Sequence, residues 1–210
     1  MKREKTRVAV LVSGGGTNLQ ALINGEQNGI IQNGRIALVL SSNPSAYALE
    51  RARKAGIPTV TANKMECGSQ REFEVKIREA LAQYRIDLIV LAGFMCILSP
   101  EFCAAFPERI INVHPSLIPS FCGKGFYGLR VHRAALDYGV KVTGATVHFV
   151  NEVPDGGRII AQKAVEIKIG DTPEILQKRV MKEAEWVLLP KAVEAVSRAI
   201  RKEEECDECL

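Results

Sequence analysis

The chain holds three histidines, His114, His132 and His148, all within one stretch, and Asp155 follows them in a Pro154-Asp155-Gly156-Gly157 turn. Asn112 and His114 close a run of β-branched residues, and in an extended strand residues two apart project from the same face. A carboxamide N–H and an imidazolium both stabilise an oxyanion that develops on a carbonyl under attack. Asp155 would orient the imidazole and raise its pKa by charge pairing. Singly, each has an ordinary reading: a strand-end cap, a satisfied core histidine, a turn aspartate. Together they point to chemistry on a carbonyl. No activated nucleophile is visible, because Ser116 sits in no G-x-S-x-G elbow and Cys122 has no histidine beside it. Direct transfer without an acyl-enzyme is therefore the simpler expectation. The histidines show neither helical i, i+4 pairing nor a joining cysteine motif, so no metal is expected.

A second feature is the run Ser13-Gly14-Gly15-Gly16-Thr17-Asn18 between an apolar strand and a helical pattern. Free backbone amides and a helix dipole there form an anion site. The dinucleotide fingerprint would need glycine where Leu19 stands and an acid where Ser41, Ser42 and Asn43 stand. No Gly-Lys-Ser/Thr follows, so the Walker pattern is absent as well. A single phosphate, held by Gly16, Thr17 and Asn18, is what remains; the competing reading is that the glycines only permit a tight turn.

These residues must be positioned by a βαβ alternation. Strand-like runs at Arg7–Val12, Arg35–Leu40, Thr59–Thr61, Asp87–Ala92 and Ile110–Val113 alternate with helical patterns at Thr17–Asn28, Ala46–Ala55, Arg71–Tyr84 and Pro100–Phe106. This predicts an α/β, Rossmann-like, mostly parallel sheet with helices on both faces. Two longer runs, Val142–Val150 and Arg158–Ile169, flank the Asp155 turn and predict an antiparallel extension. Asp171, Thr172 and Pro173 then open a long helix reaching about Lys202, bent at Pro190. A single domain is expected over 1–202, with an acidic, disordered tail at 203–210 that carries the Cys206/Cys209 pair.

Composition narrows the function classes. Hydrophobic residues make up 47% and charged residues 25%, which is globular. The longest apolar stretch, Leu88–Leu98, is shorter than the roughly twenty residues a bilayer needs. The start reads as no secretory signal, so a cytoplasmic location without membrane association is expected. A net charge of +4 with 6% aromatics shows no basic, aromatic-interleaved stripe, so no nucleic-acid partner is expected. Six irregularly spaced cysteines read as reduced thiols.

The strings SGGGTN at 13–18, LAGFMCILS at 91–99, NVHPSLIPS at 112–120, TGATVHFV at 143–150 and PDGG at 154–157 together resemble the phosphoribosylglycinamide formyltransferase family over nearly the whole chain. The N-x-H-P-S-L-x-P string is shared by folate-dependent formyltransferases generally, whereas the glycine-rich loop in this form resembles the glycinamide ribonucleotide enzymes. The resemblance implies transfer of a formyl group from 10-formyltetrahydrofolate, as co-substrate, to the amine of 5′-phosphoribosylglycinamide in purine biosynthesis. It implies that Gly16, Thr17 and Asn18 hold the phosphate with help from Lys182, and that Glu185 takes the ribose hydroxyls. Lys182 and Glu185, three apart, would then share one helix face. It further implies that Asn112 and His114 stabilise a tetrahedral oxyanion while Asp155 pairs with His114 and accepts the amine proton. The folate would lie against Met95, Cys96, Ile97 and Leu98, the loop Asn151, Glu152, Val153 and Pro154, and Arg71. His132 reads as structural and His148 as a supporting residue.

Two departures stand out: Cys96, where many relatives carry arginine, and a long glycine-containing segment at 120–128, SFCGKGFYG, suited to a flap over the substrates. Three alternatives stay open. One is the same donor with water or another phosphorylated amine as acceptor; another is a silent phosphate- or folate-binding module; the last, an NAD oxidoreductase, is disfavoured by the fingerprint. A monomer or a homodimer fits equally.

Overall fold

The computed structural model describes residues 5–207, with side chains to Glu203. Seven strands, β1 (Thr6–Val12), β2 (Gly34–Ser41), β3 (Thr59–Thr61), β4 (Leu88–Leu91), β5 (Ile110–His114), β6 (Val142–Phe149) and β7 (Ile159–Glu166), form one sheet in the order β3-β2-β1-β4-β5-β6-β7. The pairings from β3 through β5 are parallel, and β6 and β7 are added antiparallel. The mixed sheet matches the sequence expectation, and strand bounds differ from it mainly at their ends.

Helices cover both faces: α1 (Thr17–Gln27), α2 (Tyr47–Lys54), α3 (Gln70–Gln83), α4 (Pro100–Ala104), α5 (Leu129–Tyr138), α6 (Pro173–Val180) and α7 (Trp186–Asp207). β1 is buried on both sides, which is why it reads as a continuous apolar run. Its Val8, Val10 and Val12 pack with Leu19 and Leu22 of α1 and Leu189 and Val193 of α7. Ala9 and Leu11 pack on the opposite face with Phe73 and Ile77 of α3 and Phe102 of α4. Full burial of each such aliphatic side chain contributes roughly 1.5–3 kcal/mol. In β2 the alternation slips: Ile36 and Val39 share the first face, because the register skips Ala37 opposite Val8 and Ala9. That bulge escaped the period-two reading.

At the C-terminal helix Thr172 is the cap of α6, accepting from the Ile175 amide at 3.3 Å, while Asp171 pairs with Arg179, and two features there depart from expectation. The helix is interrupted by a π-helical turn at Met181–Glu185, one turn before Pro190, which lies inside α7. The helix also continues through Asp207, past the expected end at Lys202, so the segment 203–207 is helical rather than disordered. Cys209 lies outside the described residues.

The strand order reverses at β1 and β4, since β2 and β3 lie to one side of β1 and β4 to β7 to the other. Loops leaving the carboxyl ends of strands diverge at such a switch point and open a crevice. Here those loops are the glycine-rich run after β1 and the segment 92–99 after β4.

Candidate active site

The glycine-rich loop is shaped by α2. The carbonyl of Gly14 accepts from the Ala48 amide at 3.1 Å, and that of Gly15 accepts from Arg51 Nε at 2.8 Å. With these carbonyls turned onto α2, the amides of Gly15, Gly16 and Thr17 donate to no group among the described residues. Gly16 caps α1 at φ +71°, and a Cβ there would lie 2.6 Å from Ala48 Cβ. Glycine is thus required at this position for both conformation and space. Ser13 ties the loop to its neighbour, its amide donating to Gly93 O at 3.1 Å and its Oγ accepting from the Met95 amide at 2.9 Å.

The segment after β4 is anchored at its far end by Glu74, a buried carboxylate of α3. Glu74 accepts from the Ser99 amide and hydroxyl, each at 2.6 Å, and from Gln70 Nε2 at 2.6 Å; Gln70 also donates to Ile97 O at 3.0 Å. Phe94 stacks on Phe73. Met95 and Ile97 are held outward between these anchors, 60% and 67% exposed, while Cys96 between them is half-buried against the core. Leu98 turns the other way, into the core beside α3 and α4.

At the end of β5 the antiparallel register sets Asn112 opposite His148 and His114 opposite Thr146. Directly opposed residues share a face, so β6 delivers His148 to the same cluster. Nδ1 of His148 donates to Phe149 O at 2.7 Å, and its Nε2 accepts from Asn112 Nδ2 at 3.2 Å. Nε2 of His114 donates to Phe121 O at 2.9 Å, and its Nδ1 lies 3.5 Å from Asp155 Oδ2. The other carboxylate oxygen, Oδ1, is 3.6 Å from His148 Nε2, and Oδ2 accepts from the Gly123 amide at 2.8 Å. Asp155 adopts φ +57°, a left-handed conformation aspartate tolerates better than most residues. Gly157 in the same turn has no room for a Cβ, which would lie 1.8 Å from Phe149 O.

Protonation states follow from these surroundings. Burial pushes the His114 pKa below its ordinary 6.5 despite the opposing pull of Asp155, so the ring is neutral in the free protein. This corrects the expected imidazolium: desolvation exceeds the charge pairing. Burial by itself would raise Asp155, but the neighbouring His148 and His114 and the Gly123 amide hold it below its ordinary 3.8. Asp155 is therefore an ionised carboxylate beside a neutral base.

A cavity of about 630 Å³ joins these parts. Of the expected site residues, Asn18, Met95, Cys96, Ile97, Asn112, His114, Pro154, Asp155 and Glu185 line it. Thr17 instead borders a neighbouring groove of about 320 Å³ beside Arg51 and Trp186. Arg71 is exposed in the first turn of α3, Glu152 and Val153 are exposed, and Asn151 uses its Oδ1 to accept from the Val153 amide at 3.0 Å. None of these, nor Gly16, is brought into the cavity wall.

Asn18 and Glu185 are brought together rather than to separate tasks: Asn18 Nδ2 donates to Glu185 Oε2 at 2.6 Å, and both are buried. Burial raises the Glu185 pKa, opposed by this bond. Lys182 does not share the face of Glu185, because the intervening π turn is wider than an α turn; Glu185 points inward and Lys182 is exposed.

Several contributors lay beyond the sequence reading. Thr146 Oγ1 donates to Ser116 O at 2.7 Å and accepts from the Ile118 amide at 3.1 Å, holding the turn that follows His114. The strand alternation of β6 was the available signal for Thr146, on the same face as the His148 already read as a supporting residue. The carbonyl of Phe121 and the amide of Gly123 carried none, since any residue supplies them.

Comparison with known proteins agrees with this fold. Residues 6–193 match the formyl transferase family model. The chain is 45% identical over 197 residues to the trifunctional purine biosynthetic protein adenosine-3 of Gallus gallus, covering 94% of this chain but 19% of that protein. It is 41% identical over 180 residues to the chloroplastic phosphoribosylglycinamide formyltransferase of Arabidopsis thaliana, covering 85% of this chain and 61% of that one. The chain thus spans less than two thirds of both curated relatives. Among solved structures, glycinamide ribonucleotide transformylase 1 of Symbiobacterium toebii superposes with a TM-score of 0.86 at 42% identity, covering 93% of this chain and 89% of that one. The phosphoribosylglycinamide formyltransferase of Brucella melitensis gives 0.84 at 40% identity, covering 92% and 96%. With the family model spanning nearly all of the sheet and its crevice, this chain belongs to the formyl transferase family.

Proposed function

We propose that the chain transfers the formyl group of 10-formyltetrahydrofolate to the amine of 5′-phosphoribosylglycinamide, in the cytoplasm and without a metal. The observation that carries this reading is a neutral His114 beside an ionised Asp155, in one cavity with Asn112 and next to a loop of free amides. The amides of Gly15, Gly16 and Thr17 take the phosphate, and Glu185, held by Asn18, takes the ribose hydroxyls. The folate lies along Met95, Cys96 and Ile97 and reaches Pro154.

The amine attacks the formyl carbon directly. Asn112 has one N–H engaged by His148 and a second free for the oxyanion. Removal of an oxyanion donor in comparable sites costs about 10²–10³ in kcat. The proton leaving the amine reaches the His114–Asp155 pair, where the carboxylate stabilises the imidazolium that forms; the adduct then collapses as the bond from the formyl carbon to the folate nitrogen breaks, and that nitrogen leaves carrying the proton. His114 Nε2 is engaged by the Phe121 carbonyl, so its use as an oxyanion donor requires the 120–128 loop to withdraw that carbonyl when substrates enter.

The test is the absorbance change on mixing the protein with a 10-formyl folate, with and without 5′-phosphoribosylglycinamide, beside His114→Ala. Folate release that needs the ribonucleotide and collapses in the variant is expected. Release without the ribonucleotide would make the protein a hydrolase, and no release with either would overturn the reading.

A further inference from the structure

His132, in the second turn of α5, is 1% exposed, and neither of its ring nitrogens has a partner among the described residues. Buried polar side chains are nearly always hydrogen-bonded, and one left without a partner calls for an explanation. Its position supplies one. His132 lines the same 630 Å³ cavity as His114, Asn18 and Glu185, with Gln177 and Met181 of the C-terminal helical segment nearby on the wall. Its ring is close enough to His114 for that neighbour to oppose its protonation, and burial together with His114 lowers its pKa to about 4. A neutral ring offers one N–H donor and one acceptor and carries no charge to pair with a phosphate.

We propose that His132 is a substrate-binding residue whose ring N–H donates to the amide carbonyl of the acceptor. The inference rests on the function proposed above. Four polar groups lie along that acceptor: phosphate, ribose hydroxyls, amide and amine. The glycine-rich loop accounts for the first, Glu185 for the second and the His114–Asp155 pair for the last. The amide carbonyl is one carbon from the amine, so a side chain next to His114 is the one that faces it. A site built to hydrogen-bond a group also rejects molecules lacking it, because its own polar atom is then left unpaired. His132 thereby selects an α-amino amide over a simple phosphorylated amine.

The test compares wild type, His132→Leu and His132→Gln, each with 5′-phosphoribosylglycinamide and with an analogue in which the amide carbonyl is a methylene. The Leu variant is expected to raise the acceptor KM about ten- to a hundredfold while leaving the folate KM unchanged, with partial recovery in Gln. On the analogue, wild type and His132→Leu should be equally poor, since the carbonyl is already gone. Additive losses from the protein and substrate changes would overturn the proposal, as would an acceptor KM unmoved in both variants. Should neither variant fold, ¹⁵N NMR of the wild-type histidine rings decides: a His132 ring unshifted by 5′-phosphoribosylglycinamide would also overturn it. Absence of turnover by wild type would instead sink the proposed function, so the two failures are separable.

Discussion

His132 also makes a prediction about acid stability that needs no substrate. Its pKa falls from the ordinary 6.5 to about 4 in the folded protein, chiefly through burial. The unfolded chain therefore binds a proton in the interval where the folded one does not, and stability rises with pH across it. The contribution is fully present above about 6.5 and is lost as pH falls towards 4. A separation of about 2.5 units, at 1.36 kcal/mol each, gives about 3 kcal/mol. With the side chain 1% exposed, solvent offers little screening. A loss of this size is a large part of the roughly 5–15 kcal/mol by which domains are stable. Urea unfolding at half-unit steps from pH 7.5 to pH 4 would measure it, in wild type and in His132→Gln, which cannot titrate. His114 titrates in an overlapping window, and Asp155 acts at lower pH, but both are common to the two proteins. The wild-type curve should steepen by about 3 kcal/mol relative to the variant. Parallel curves would refute the reasoning.

Four further outcomes are expected. Asp155→Asn removes the charge that stabilises a protonated His114, so kcat should fall about 10²–10⁴-fold with modest change in either KM, and steady-state kinetics will show whether it does. His148→Ala takes away the acceptor that orients Asn112 and should lower kcat about tenfold, whereas His148→Gln, which can accept from Asn112, should recover part of it. Cys96→Ala and Cys96→Arg should change folate affinity little if that segment is read through its backbone, and a large loss in fluorescence titration would contradict this. Hydrogen exchange across residues 120–128 should change when both substrates bind, because Phe121 and Gly123 are bonded to His114 and Asp155; an unchanged pattern would count against loop movement.

The fold was legible where burial is regular. Val8–Val12 is covered on both faces and so appears as an unbroken apolar run, Ile110–Val113 is broken only by the site residue Asn112, and turn residues such as Gly29 and Pro107 bracket the helices. What escaped were deviations from period. Ala37 adds one residue to β2, a change too small to register in a window of alternating residues. The π turn at Met181–Glu185 inserts a wider turn into an otherwise helical pattern, and an ideal helix places Lys182 beside Glu185 when the real one separates them. The helix reaching Asp207 was cut short because an acidic run was read as a solvated tail.

The site divides along similar lines. Asn112, His114 and Asp155 were legible because their chemistry lies in contiguous strings at strand and turn positions. Of their partners only His148 was read, as a supporting residue, and what it supports was not, because partnership depends on register: only the pairing of β5 with β6 sets His148 against Asn112 and Thr146 against His114. The protonation states were least legible of all, since sequence suggests that a histidine beside an aspartate will be charged. Enclosure reverses that for His114, while the Gly123 amide and the neighbouring imidazoles keep Asp155 ionised. The reversal matters for the chemistry. A charged His114 would have no vacancy for the proton that the attacking amine must lose, whereas a neutral ring backed by a carboxylate gives that proton a destination at the reacting centre.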